Sequence, residues 1–147
     1  MGWDCASDPP RARRTATLTA FLDTNVLIRH LTGDPPEMAA RATAALADEE
    51  QLLLTDLVLA ECVYVLESFY EVKRSRIAEL MRSALAFPSI DTVDTPVLLR
   101  ALEIYELDRL DFAEAYLAAH AEATGVGDIL SFDRSIDRIK TVTVRAP

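Results

Sequence analysis

The chain has 147 residues, of which half are hydrophobic and 27% are charged. This composition is typical of one globular domain and excludes an intrinsically disordered chain. The net charge of -9 argues against nucleic-acid binding through a basic surface, unless metal ions held by carboxylates supply positive charge where phosphate binds. An acidic chain is also a natural partner for a basic protein.

Cysteine content and hydropathy indicate in which cellular compartment the chain is located. Cys5 and Cys62 are the only cysteines, too few for a disulfide framework, and they favour a cytoplasmic location. The longest apolar run, residues 52–66, is interrupted by Asp56 and Glu61. We therefore expect no membrane span.

The first residues differ from the remainder of the chain. Residues 1–16 contain Pro9, Pro10 and three arginines without hydrophobic periodicity, which predicts an unstructured leader. No linker divides residues 17–147, so we expect this part of the chain to form a single domain.

After the leader, predicted strands and helices alternate. In chain order, the predicted elements are a strand at 18–23, a helix at 34–47, a strand at 52–55, helices at 57–69 and 74–86, a strand at 89–93, helices at 95–106 and 111–123, a strand at 126–132, a short helix at 134–138 and a strand at 141–144. This alternation predicts an α/β fold with a parallel sheet and helices on both faces.

In such folds, ligands bind beyond the carboxyl ends of the strands. Asp23 ends the first predicted strand and Asp133 ends the strand at 126–132, so both are candidate site residues. The alternative for each is a helix N-cap, a position that Asp favours.

Glu61 is a third candidate, because its neighbours in the helix predicted at 57–69 are almost all apolar. A carboxylate on so apolar a helix is expected to be paired, metal-bound or protonated. A salt bridge to an arginine elsewhere in the chain is the structural alternative.

Asp111 and Glu114 lie three residues apart, so they share one face of a predicted first helical turn. Their spacing also fits a capping box, in which Asp111 caps the helix and Glu114 bonds back to the cap residue. One of the two could cap while the other binds metal.

Together these acids indicate a metal site. Clustered carboxylates repel one another unless something offsets the repulsion, and Mg²⁺ or Mn²⁺ prefers oxygen ligands. His30 and His120 are isolated in the sequence, and no HExxH, CxxC or phosphate-binding-loop motif occurs.

Four short motifs, in this order, resemble those of the PIN domain family. They lie at residues 21–27, 59–61, 110–119 and 131–134, and the resemblance covers about residues 18–145. The similarity is strongest to the VapC-type toxins of bacterial toxin–antitoxin pairs. It implies a three-layer α/β/α sandwich around a central parallel sheet, endoribonuclease activity dependent on Mg²⁺ or Mn²⁺, a homodimer and neutralisation by an antitoxin protein.

The resemblance also implies roles for individual residues. The family's metal-binding acids correspond to Asp23, Glu61, Glu114 and Asp133. The polar positions that orient these acids correspond to Asn25 and Ser131.

One position departs from the family pattern. The family's third acid is usually Asp, whereas the matching residue here is Glu114. Asp111, one turn earlier, could share or take over its role.

Two other functions remain open from the sequence. A regulatory phosphoacceptor domain would need a lysine near the phosphorylated Asp, and Lys73 and Lys140 are the only lysines. A catalytically weak or inactive PIN-fold binding module is the second alternative. Arg29 and Arg134 come shortly after two of the acids and are either RNA-phosphate contacts or ordinary surface arginines.

Overall fold

The computed structural model describes Leu18 and residues 20–48 and 51–147, so the expected leader lies outside the described part. The chain divides into two units by its internal contacts. The first unit comprises Met1–Cys62 and Ser83–Val93, and the second comprises Val63–Arg82 and Asp94–Pro147.

The first unit contains a three-stranded parallel sheet. Its strands are β1 (Ala20–Phe21), β2 (Leu52–Leu53) and β3 (Ile90–Asp91), paired in the order β1-β2-β3. The backbone N–H groups of Leu22 and Leu54 extend the pairing beyond the strand ends, each donating at 2.8 Å to a neighbouring strand. The strands are shorter than predicted, but the parallel arrangement is confirmed.

Helix α1 (Thr24–Thr32) and helix α2 (Pro36–Asp48) come after β1 in this unit. The sequence did not predict α1. The Asp23 side chain caps its first turn, and Gly33, with a φ of 72° that favours glycine, ends it by donating its N–H to the Arg29 carbonyl. Burial of Leu27 and Ile28 adds the apolar face that holds it in place.

The second unit contains helices and a two-stranded parallel sheet. The helices are α4 (Arg74–Leu85), most of which lies in this unit, α5 (Thr95–Leu107) and α6 (Phe112–Thr124). Strand β4 (Asp128–Leu130) pairs in parallel with β5 (Thr143–Arg145), and a short 3₁₀ helix (Ser135–Arg138) connects them. The parallel α/β class is therefore confirmed in this unit too.

Helix α3 (Asp56–Ser68) begins in the first unit and ends in the second. Residues of this helix are apolar on nearly every side, which predicts a buried helix, and this prediction is wrong. Leu57 is 79% exposed and Tyr64 is 66% exposed, whereas Leu59 and Leu66 on other faces are fully buried. The helix is thus apolar in composition but exposes one of its faces, which periodicity could not show because apolar residues occupy every face.

A polar contact fixes the connection between α5 and α6. The Arg74 guanidinium donates to the backbone carbonyls of Tyr105 and Leu110 and lies 4.3 Å from the centroid of the Tyr105 ring. The Tyr105 hydroxyl donates to Glu67. Burial and the Glu67 carboxylate raise the pKa of Tyr105. Arg74 therefore holds the segment that leads directly into Asp111.

Replacing Arg74 with alanine is expected to lower the free energy of unfolding by about 2 to 4 kcal/mol, because two backbone carbonyls lose their donor. Arg76→Ala is the matched control on the same helix. The Arg76 side chain is 58% exposed and, among the described residues, forms an ion pair only with exposed Glu79, so its loss should cost less than about 0.5 kcal/mol. Urea denaturation measures both, and equal losses would contradict the proposed role of Arg74.

Candidate functional site

The first unit brings together a group that we call the first acidic group, consisting of Asp23, Thr24 and Glu61. Asp23 lies shortly after β1, and one of its carboxylate oxygens accepts a hydrogen bond from the Asn25 backbone N–H at 3.3 Å. The Thr24 hydroxyl, on a buried residue, donates to the Glu61 carboxylate. The capping alternative therefore holds for Asp23, while Asn25 contacts the acid through its backbone and not through its side chain.

Glu61 departs from its expected environment. The residue is exposed and forms no ion pair among the residues that the structure describes. The sequence argument that burial forces this carboxylate to find a partner is therefore wrong, and among the described residues, which do not include Arg11, Arg13 and Arg14, the salt-bridge alternative gains no support. Its hydrogen-bond partner is the hydroxyl of Thr24.

The negative charge of this group is felt by its neighbour Cys62, which is buried and free. Burial, and then the charges of Glu61 and Asp23, raise the pKa of the Cys62 thiol to about 12. The thiol is therefore protonated and unreactive at neutral pH. Both acids lie close enough to Cys62 to disfavour a further negative charge there.

The second unit brings together a second acidic group, consisting of Asp111, Glu114 and Asp133. Glu114 lies in the first turn of α6, and Asp133 lies shortly after β4. The two carboxyl groups are hydrogen-bonded to each other.

That contact shifts the pKa values of the two acids in opposite directions. The hydrogen bond to Asp133, then burial and then the charge of Asp111 raise the pKa of Glu114 to about 7, while the bond to Glu114 and a backbone N–H lower the pKa of Asp133. Below about pH 7, Glu114 therefore holds a proton that it donates to Asp133.

The capping-box alternative fails for Asp111 and Glu114. Asp111 occupies the N-cap position of α6, but its side chain forms no capping hydrogen bond. Glu114 interacts instead with Asp133 and with the Ser135 hydroxyl, which donates to it at 3.3 Å.

Two serines hold the turn that carries Asp133. The Asp133 N–H donates to the Ser131 hydroxyl at 2.9 Å, and the Asp133 carboxylate accepts from the Ser135 N–H at 2.9 Å. The N-cap alternative for Asp133 is wrong, because Arg134 occupies the N-cap position of the 3₁₀ helix, and the Asp133 carboxylate instead closes a turn and contacts Glu114.

Sequence reasoning did not identify two residues that contact the acids, Thr24 and Ser135. Each has a local signal, because Thr24 directly follows Asp23 and Ser135 lies two residues after Asp133, the spacing of an Asx turn. Their bonds to Glu61 and Glu114 cross 37 and 21 residues of chain, which no local pattern encodes.

The donor set of both groups suits a hard divalent cation, since it consists of carboxylate and hydroxyl oxygens. A cation bound between Glu114 and Asp133 could replace the proton that these two acids share. Across the described part of the chain, however, no three His, Cys, Asp or Glu side chains are arranged to surround one ion. Among the described residues, the structure thus brings oxygen-bearing side chains together in pairs but does not form a complete set of metal ligands.

A family model described as PIN domain matches residues 20–142, which is well over half of the chain and includes both acidic groups. The chain belongs to the PIN domain family. Among solved structures, it is similar to the sarcin-ricin loop cleaving toxin VapC20 of Mycobacterium tuberculosis, with 17% identity, a TM-score of 0.40, and coverage of 81% of this chain and 93% of that one.

It is also similar to VapBC2 of Rickettsia felis bound to a DNA fragment from its promoter. There the identity is 17%, the TM-score is 0.35, and the match covers 88% of this chain and 98% of that one. The comparison with curated proteins gave no match.

The length and apolar character of the helices decide whether any of them could cross a membrane. None of those in the described ranges combines the length and the apolar character that crossing a bilayer requires.

The metal-free protein is expected to titrate at Glu114 with a pKa near 7 and not near 4.5. Because the folded pKa is raised, the proton stabilises the fold fully below pH 4.5, and this contribution is lost as the pH rises through about 7. Carboxyl-carbon NMR measures the titration directly.

Asp133→Asn removes the carboxylate that accepts this proton and should lower the Glu114 pKa toward its ordinary value. Asp137→Asn is the control, because Asp137 pairs with Arg134 and does not contribute to the Glu114 shift. A pKa near 4.5 in the unsubstituted protein would contradict the shared proton.

Proposed function

We propose that this PIN domain chain is a divalent-metal-dependent endoribonuclease and the toxin component of a toxin–antitoxin pair. The observation that carries the proposal is the contact between Glu114 and Asp133. Two acids from separate elements meet there, at positions that the sequence resemblance assigns to the family's metal-binding acids. A fold retains such a pair at a cost in stability that metal binding would offset.

The carboxylates of each acidic group are the proposed ligands of Mg²⁺ or Mn²⁺ within their own unit. When bound, such a cation stabilises the developing charge on an RNA phosphate and activates water for attack on the phosphodiester. The family position of the third ligand is Glu114. Asp111, whose side chain is not used for capping, is the alternative.

The remaining residues of these groups would orient the ligands. The Thr24 hydroxyl holds Glu61, and the Ser131 and Ser135 contacts fix the turn of Asp133. The Glu114 proton must leave before its carboxylate can bind a cation. Metal affinity should therefore rise as the pH increases through about 7.

The proposed partners rest on the resemblance and on charge. An acidic toxin with a net charge of -9 suits an antitoxin with a basic segment. The homodimer and the cytoplasmic location stay predictions.

A second candidate function is a catalytically weak or inactive PIN-fold binding module. The observation in its favour is that, among the described residues, no three His, Cys, Asp or Glu side chains are arranged to hold one metal ion. The phosphoacceptor hypothesis gains no support, since Lys73 precedes a helix and Lys140 comes after the 3₁₀ helix, so neither lies at the end of a strand.

Cleavage of RNA in Mg²⁺ or Mn²⁺ tests the proposal. Asp23→Asn removes the charge but keeps a residue that caps helices equally well, so the fold should persist while cleavage falls to the level seen with EDTA. Asp94→Asn is the matched control, because Asp94 caps α5 in the same way through the Val97 N–H. It should cleave like the unsubstituted chain.

Two further substitutions identify the third ligand. If Glu114 is the ligand, Glu114→Gln abolishes cleavage and Asp111→Asn does not, and the reverse result assigns the role to Asp111. Cleavage that persists in Asp23→Asn, or that is absent from the unsubstituted chain, would favour the inactive binding module.

A further inference from the structure

A groove of about 290 Å³ lies between α1 and α2 in the first unit. Residues Asn25, Val26 and Arg29 of α1 form one wall, and the other wall is built from α2. Within α2, the lining residues recur at intervals of three and four, so they occupy one face of that helix: Met38, Arg41, Ala42 and Ala45.

The charged side chains lining this groove are both arginines. In the described part of the chain, five other arginines pair with carboxylates, whereas neither Arg29 nor Arg41 does. Arg29 donates only to the Asp34 backbone carbonyl, at 3.3 Å, and its buried Nε atom has no hydrogen-bond partner among the described residues. Two guanidinium groups in an acidic chain thus retain donors for an anion.

The groove adjoins the first acidic group through Asn25. This residue lines the groove, and its backbone N–H donates to the Asp23 carboxylate. A chain lying in the groove would therefore lead directly to Asp23.

We propose that this groove binds the phosphate backbone of the RNA strand, with Arg29 and Arg41 each contacting a phosphate. Guanidinium groups match phosphate in shape and charge, and such contacts position a strand without reading its sequence. The apolar side chains of Val26 and Met38 offer a surface for ribose or base. This inference rests on the proposed ribonuclease function and names the surface that positions its substrate.

Local positive charge also answers the problem that the net charge poses. A chain with a net charge of -9 repels RNA as a whole. The two arginines place attraction beside the acid that the proposal assigns to metal binding.

Binding of a short fluorescein-labelled single-stranded RNA of mixed sequence, measured by anisotropy in EDTA to prevent cleavage, tests the groove. Arg41→Ala and Arg29→Ala should each weaken binding about tenfold. Each should also make the slope of log K against log salt shallower by about 0.7, the contribution of one phosphate contact. Arg29→Lys should retain the slope and lose part of the affinity.

One further variant serves as a control, and another tests the shape of the groove. Arg76→Ala removes an exposed arginine that does not line the groove and should change the affinity less than about twofold. Ala45→Met narrows the groove with a good helix former and leaves both arginines in place, so it should weaken RNA binding without changing the charge.

The outcomes separate this inference from the proposed function. If the unsubstituted chain cleaves RNA while the arginine variants bind it with unchanged affinity and slope, the groove proposal is wrong and the ribonuclease proposal stands. If the variants bind RNA normally but no longer co-purify with a co-expressed antitoxin, the groove is a protein surface and the proposal is again wrong. If the unsubstituted chain neither binds nor cleaves RNA, both fail.

Discussion

Carboxyl groups in hydrogen-bonding contact repel each other unless one of them carries a proton or a cation lies between them. Glu114 and Asp133 meet this condition through a shared proton, which raises the Glu114 pKa to about 7. The elements around them keep the contact in place. Arg74 anchors the segment before α6, and Ser131 and Ser135 hold the turn after β4.

The first acidic group is held by different contacts. There the hydroxyl of Thr24 contacts Glu61, and Asp23 caps α1. Burial, and then the negative charge of Glu61 and Asp23, raise the pKa of the neighbouring Cys62 thiol. A helix cap and a ligand are compatible roles for Asp23, because capping a helix engages a single oxygen of the carboxylate.

The distribution of charge explains how an acidic chain could act on RNA. The acids that define the proposed chemistry are clustered, and the groove arginines Arg29 and Arg41 are free of ion pairs within the described residues. The net charge alone argues against nucleic-acid binding, so the positions of the charged side chains are more informative than the net charge.

The sequence predicted the parts of the fold that depend on local pattern. Asp23 and Asp133 were placed after strands because alternating strands and helices imply a parallel sheet, and the structure places both there. Helix α1 was missed because β-branched Val26, Ile28 and Thr32 lower helix propensity, and the Asp23 cap and burial overcome this.

Other features depend on tertiary contacts that a single sequence does not contain. The exposure of Glu61 was predicted wrongly, because apolar neighbours such as Leu57 and Tyr64 are themselves exposed. The bonds from Thr24 and Ser135 to acids distant in sequence could not be derived from spacing. The sequence pattern therefore identifies the acids but not the residues that form hydrogen bonds with them.

Thermal unfolding with and without Mn²⁺, at a pH above the Glu114 pKa of about 7, tests the central claim that these acids bind a divalent cation. A cation at a hundred times its dissociation constant should stabilise the fold by about 2.7 kcal/mol. The account predicts this rise in the unsubstituted chain and its loss in Asp23→Asn. No rise in the unsubstituted chain, or an equal rise in both proteins, would contradict it.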